Sequence, residues 1–177
     1  MADRFTDMNI FLTGFMGSGK STFGRKLAKQ LSLRFYDLDK MVEEKAKCSI
    51  EDIFKYLGED VFRKMESECL HTFEGQENFV LSCGGGTPCY FGNMEFILEQ
   101  GLCIYLEMDE ASLFNRLVHA KNVRPTIKGF TEEELKLFIK DTLAKRREIY
   151  ERAHLVIPVL NLKPVELKEL VENYRKA

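Results

Sequence analysis

The chain has 177 residues, 45% of them hydrophobic and 31% charged, which suits one soluble domain (residues 1–177) with a full hydrophobic core. A formal net charge of −2 sets up no global field for nucleic acid or an anionic membrane, so neither is expected as a partner and anions must be bound by locally placed cations. No apolar run approaches transmembrane length, Met1-Ala2-Asp3-Arg4 has no signal-peptide character, and five scattered cysteines make neither a disulfide framework nor a metal knuckle; a cytoplasmic protein with reduced thiols is expected.

The first element, Asn9–Thr13, reads as a buried strand through Ile10-Phe11-Leu12. It runs into Gly14-Phe15-Met16-Gly17-Ser18-Gly19-Lys20-Ser21, a complete G-x-x-x-x-G-K-S phosphate loop. A helix over Ser21–Leu31 follows, with Phe23, Leu27 and Leu31 on one face. Strand, loop and helix in that order are the context the motif requires. The glycines let the backbone curl so that its N–H groups point at phosphate oxygens, and the helix N-terminus adds positive potential. Gly14, Gly17, Ser18, Gly19, Lys20, Ser21 and Thr22 are therefore the candidate nucleotide-binding residues. Lys20 would reach the β- and γ-phosphates, and the Ser21 hydroxyl would serve Mg²⁺.

The second strand, Arg34–Leu38, leads into Asp37-Leu38-Asp39. Alternation places both carboxylates on one side of the strand end, at the edge that carries the phosphate loop. One is placed to reach Mg²⁺ and the other to meet an acceptor hydroxyl; capping of a helix from Lys40 by Asp39 is compatible with this. Helices are expected over Lys40–Ala46, Ile50–Leu57 and Asp60–Glu74, and the last holds Arg63 one turn before Glu66. A local ion pair between these two would also fix the guanidinium. The third strand, Phe79–Cys83, ends in Gly84-Gly85-Gly86, which serves either close backbone approach to a ligand or a flexible turn.

Helix Met94–Gln100, strand Leu102–Glu107 and helix Ala111–Val118 come next. The irregular, polar segment Ala120–Phe130, with Arg124-Pro125, has the character of a mobile lid. Thr131 and Glu134 form a capping box before a long helix to Tyr150, which carries Arg146. Strand Leu155–Pro158 and a final helix over Val165–Tyr174, with Pro164 in its first turn, close the chain. Apolar strands alternating with amphipathic helices imply a parallel sheet covered on both faces, with ligands at the C-terminal strand ends. Arg63, Arg124 and Arg146, taken with the loop and the Asp pair, suggest an acceptor that carries a carboxylate.

Nearly the whole chain resembles the shikimate kinases. The matching pieces are Gly14–Thr22, Asp37-Leu38-Asp39, Ile53-Phe54, Gly58-Glu59, Phe62-Arg63 with Glu66, Gly84-Gly85-Gly86, Arg116, Arg124-Pro125, and Arg146 with Tyr150. The resemblance implies an α/β three-layer P-loop fold of the nucleoside-monophosphate-kinase type, a five-stranded parallel sheet in the order 2-3-1-4-5 with a mobile lid. It implies a monomeric enzyme of aromatic amino-acid biosynthesis that transfers the γ-phosphoryl group of ATP to the 3-hydroxyl of shikimate, with Mg²⁺. Asp39 would bind the shikimate hydroxyls and act as base; Arg63 and Arg146 would clamp the carboxylate, and the Gly84–Gly86 backbone would support the ring. Ser21 and Asp37 would serve the metal, with Ser82 behind them. Arg116 would lie against adenine and Arg124 would reach the phosphates, making Asp39, Lys20 and Arg124 the catalytic set.

The chain departs from the family pattern at Thr126-Ile127, where leucines are usual, and at Arg147-Glu148-Ile149, which lacks a proline. Other small P-loop kinases, acting on gluconate or a nucleoside monophosphate, share the loop. A GTP-driven switch would need Asn-Lys-x-Asp and Asp-x-x-Gly elements, and neither occurs.

Overall fold

The computed structural model describes residues 8–120 and 124–176. Lys121, Asn122 and Val123 of the expected lid lie outside the described residues, as does Met1–Arg4. Five strands, β1 (Asn9–Thr13), β2 (Arg34–Asp37), β3 (Phe79–Ser82), β4 (Leu102–Glu107) and β5 (Leu155–Pro158), pair in parallel in the order β2-β3-β1-β4-β5. The intervening helices are α1 (Lys20–Leu31), α2 (Leu38–Ala46), α3 (Ile50–Asp52), α4 (Glu59–His71), α5 (Asn93–Gln100), α6 (Glu110–Val118), α7 (Glu132–Tyr150) and α8 (Pro164–Lys176).

The two faces of the sheet belong to two apolar clusters, divided by strand alternation. Ile10 and Leu12 of β1 join Leu27 of α1 and Leu167 and Val171 of α8 on one face. Phe11, one step away, points to the other face among Leu38, Leu70 and Ile97 from α2, α4 and α5. Because β1 is covered on both sides, its central residues Ile10, Phe11 and Leu12 are apolar without interruption. Gly24 lets α1 approach closely: a Cβ there would lie 2.6 Å from the Phe35 ring. Among the described residues, no helix is long and apolar enough to cross a membrane.

The expected elements differ most from those observed at the β2–α2 junction and over Ile50–Leu57. β2 stops at Asp37 and the chain turns helical at Leu38, so Asp39 sits in the first turn of α2 rather than at the end of the strand. The shared position of the two carboxylates therefore does not come from strand alternation. The segment Ile50–Leu57 is also not one regular helix. Ser49 caps a single turn by accepting from the Asp52 N–H at 3.1 Å, and the chain then widens into a π-helical turn over Ile53–Leu57. That turn closes through Gly58 N–H donating to the Ile53 carbonyl at 2.9 Å, and Gly58 at φ 86 redirects the chain into α4.

Candidate active site

All the expected ligand-handling loops leave the sheet at the C-terminal ends of its strands and border one cleft of about 740 Å³. β1 delivers the phosphate loop, β2 ends in Asp37 with Asp39 following in the first turn of α2, and β3 delivers Gly84–Gly86. Arg116 of α6, Arg124 and Arg146 of α7 line the same space, as do Gly17, Gly19, Lys20, Ser21, Thr22 and Arg63. Gly14 and Ser18 do not line it; they shape the loop from behind. Gly14 has φ 136, and a Cβ there would stand 2.7 Å from the Leu106 carbonyl oxygen. Ser18 is fully buried, and its hydroxyl has no hydrogen-bond partner among the described residues.

Lys20 is buried, with its Nζ donating to the carbonyls of Gly14 and Phe15 at 2.8 Å each. Burial lowers its pKa to about 8, opposed by the charge of Asp39. The neighbouring Ser21 hydroxyl donates to Asp37 Oδ2 at 2.7 Å and lies 3.2 Å from the Ser82 hydroxyl. Asp37 and Ser82 are Cα partners on adjacent strands, so sheet register itself brings this hydroxyl–carboxylate cluster together. Asp37 takes the N-cap position of α2, yet its carboxylate makes no cap and serves Ser21 instead.

Asp39 faces the same cleft from α2, and Arg124 Nη1 donates to its Oδ2 at 2.5 Å. On the opposite wall, Arg63 is buried and held on three sides. Its Nε and Nη2 donate to Glu59 Oε1 at 3.1 and 2.9 Å, and its Nη1 donates to Glu66 Oε2 at 2.9 Å. The Tyr90 ring stacks over the guanidinium at 4.6 Å. Burial works against the charge on Arg63, but the two carboxylates more than offset it and its pKa lies above the ordinary value. Burial pushes the Glu66 carboxyl up despite Arg63 and the Thr87 hydroxyl, which donates to it at 2.6 Å.

The glycine run packs against these side chains. A Cβ at Gly84 would fall 2.2 Å from Glu66 Oε1, and one at Gly86 would fall 2.6 Å from Arg63 Nη1. The close approach foreseen for a ligand is thus made first by the protein's own charged groups. Arg116 Nη1 donates to the Gly17 carbonyl at 3.2 Å, which lays it across the phosphate loop. Arg146 lines the cleft while the adjacent Arg147 does not, since helical rotation of α7 separates them. The five cysteines are free, and burial keeps Cys103 a thiol with its pKa pushed up to about 12.

Glu59, Thr87 and Tyr90 escaped the sequence reading as site residues. Glu59 had a usable signal, four residues before Arg63 on a helix. Thr87 and Tyr90 had none, because only the fold of the segment after Gly86 brings them to Glu66 and Arg63.

Comparison with known proteins decides the family. The family model for shikimate kinase matches residues 16–175. The chain belongs to the shikimate kinase family. A shikimate kinase from Phocaeicola vulgatus is 43% identical over 144 residues, covering 81% of this chain and 82% of that protein. The crystal structure of shikimate kinase from Bacteroides thetaiotaomicron superposes with a TM-score of 0.87 at 38% identity, covering 93% of this chain and 98% of that one. The shikimate kinase from Acinetobacter baumannii, solved in complex with shikimate, gives 0.86 at 31% identity, covering 95% and 92%. Like other shikimate kinases, the protein is an ATP-dependent phosphotransferase.

Proposed function

We propose that the protein transfers the γ-phosphoryl group of ATP to the 3-hydroxyl of shikimate, giving shikimate 3-phosphate and ADP. The observation that carries this reading is the meeting, in one cleft, of a phosphate loop with Asp39 and with two arginines, Arg63 and Arg146, that would suit a carboxylate. The shikimate complex of the similar Acinetobacter baumannii enzyme supports that acceptor.

The triphosphate lies along Gly14–Thr22, with Arg116 against the adenine. Lys20 exchanges its two carbonyl partners for phosphate oxygens. Ser21 and Asp37 fit Mg²⁺: a hydroxyl and a carboxylate 2.7 Å apart offer hard oxygens at the end of the loop. Among the described residues no cluster of three acidic, histidine or cysteine side chains forms a protein-only cage, which suits an ion that takes its remaining ligands from phosphates and water. When bound, the ion would neutralise charge on the β- and γ-phosphates.

A guanidinium carries five N–H groups. Arg63 spends three of them on Glu59 and Glu66, which leaves two for the acceptor carboxylate beside Arg146. That clamp sets the ring so that one hydroxyl meets Asp39, which orients it and takes its proton. Arg124 leaves Asp39 for the transferred phosphoryl group as the lid closes, excluding water. Substitution Asp39→Asn should lower kcat with shikimate by roughly 10²- to 10⁴-fold. Near-normal turnover in a steady-state assay would remove Asp39 from the role of base.

A further inference from the structure

Tyr150 is fully buried, yet its hydroxyl reaches the glycine run and donates to the Gly85 carbonyl. Gly85 lies inside a tight turn closed by the Thr87 N–H donating to the Gly84 carbonyl at 3.2 Å. The peptide joining Gly85 to Gly86 is the central unit of that turn. Peptide planarity makes its carbonyl and its N–H point in opposite directions, so holding the Gly85 carbonyl fixes the direction of the Gly86 N–H. Without a side chain at either residue, such a peptide flips at little cost unless something outside the turn holds it.

The phenol has the right attachments to do so. It stands one helical turn after Arg146, so both side chains leave the same side of α7. Its ring packs on Tyr105 of β4 with centroids 5.0 Å apart, which ties it to the sheet. A Cβ on Gly85 would find Arg146 Nη1 at 3.6 Å and the Met16 N–H nitrogen of the phosphate loop at 3.1 Å. The turn therefore lies between the proposed acceptor clamp and the phosphate loop.

We propose that Tyr150 is a positioning residue for the acceptor: its hydroxyl locks the Gly85–Gly86 peptide and fastens that turn to the helix bearing Arg146. This rests on the shikimate reading above. It assigns the phenol to acceptor binding, with no part in nucleotide binding or proton transfer.

The test compares Tyr150→Phe with Tyr105→Phe in steady-state kinetics, with the wild-type protein alongside. Loss of one buried hydrogen bond should raise KM for shikimate about three- to tenfold in Tyr150→Phe, with kcat and KM for ATP within about twofold of wild type. Tyr105→Phe keeps the ring pair and should leave KM for shikimate unchanged. An unchanged KM for shikimate in Tyr150→Phe, or an equal rise in Tyr105→Phe, overturns the proposal. A reading that needs no variant is the Gly86 amide resonance of the wild-type protein. It should shift on adding shikimate while the Tyr150 hydroxyl proton stays protected from exchange, and a shikimate-insensitive Gly86 amide would also overturn the proposal. Wild-type protein that fails to turn over shikimate would instead refute the functional reading itself.

Discussion

In the proposed function, Lys20 is a single buried charge that should tie nucleotide affinity to pH. Burial brings its pKa down to about 8 in the ligand-free protein. Phosphate oxygens favour the ammonium form and raise the pKa on binding, so the bound state carries more protons wherever the free state has begun to lose them. Affinity for ATP is then full below pH 8 and is lost as pH rises through the interval between the free and bound pKa values. Calorimetric titration should show Kd for a non-hydrolysable ATP analogue weakening by roughly tenfold from pH 7 to pH 9. Equal Kd values at the two pH values would show that the Lys20 ammonium does not bear on the phosphates. The lysine was legible in the sequence because the loop motif fixes its place. Its present partners, the Gly14 and Phe15 carbonyls, were not, since they depend on how the loop curls.

At the level of elements, α7 joins stability to the site. Its face carrying Phe138, Thr142, Arg146 and Ile149 lines the cleft, while Leu135, Ile139 and Leu143 are buried. Its N-terminus is closed by the capping box read from the sequence: Thr131 Oγ1 accepts from the Glu134 N–H at 3.2 Å, and the Thr131 N–H donates to Glu134 Oε2 at 2.8 Å. Thr131→Ala should cost about 1 kcal/mol, measured as a lower midpoint in urea unfolding with an unchanged m-value. An unchanged midpoint would mean that tertiary packing alone holds this helix end.

Elements such as this cap and strands β1, β4 and β5 were readable because their signals are local: a capping pair, or an apolar run bounded by polar residues. The boundary between β2 and α2 was not. There the Asp37 carboxylate is claimed by Ser21, a partner from another element, and the chain becomes helical earlier than alternation suggests. The π-helical turn at Ile53–Leu57 was equally hidden, since it is marked by backbone bonding, such as the Gly58 N–H donating to the Ile53 carbonyl, and not by a side-chain pattern.

Over the whole molecule, parallel strand order gathers onto one edge groups that are far apart in sequence. Arg124 reaches Asp39 and Lys128 reaches Glu51, so the segment carrying these two cations is tied to α2 and α3 by two ion pairs. Asp39, the proposed base, is paired with Arg124; in the proposed mechanism the arginine leaves it for phosphate, which would couple productive geometry to the presence of ATP. The phosphate loop and the glycine run could be found by motif, and the family resemblance named their roles. The Arg63–Glu66 pair followed from helical spacing; what no motif displayed is the closing of that pair by Thr87 and Tyr90, from the segment after the glycine run. The central claim concerns the acceptor, and a coupled ADP-release assay with shikimate, gluconate, AMP or no acceptor tests it most directly. ADP should form at a substantial rate with shikimate alone. Comparable release with gluconate, with AMP or with no acceptor would contradict the account.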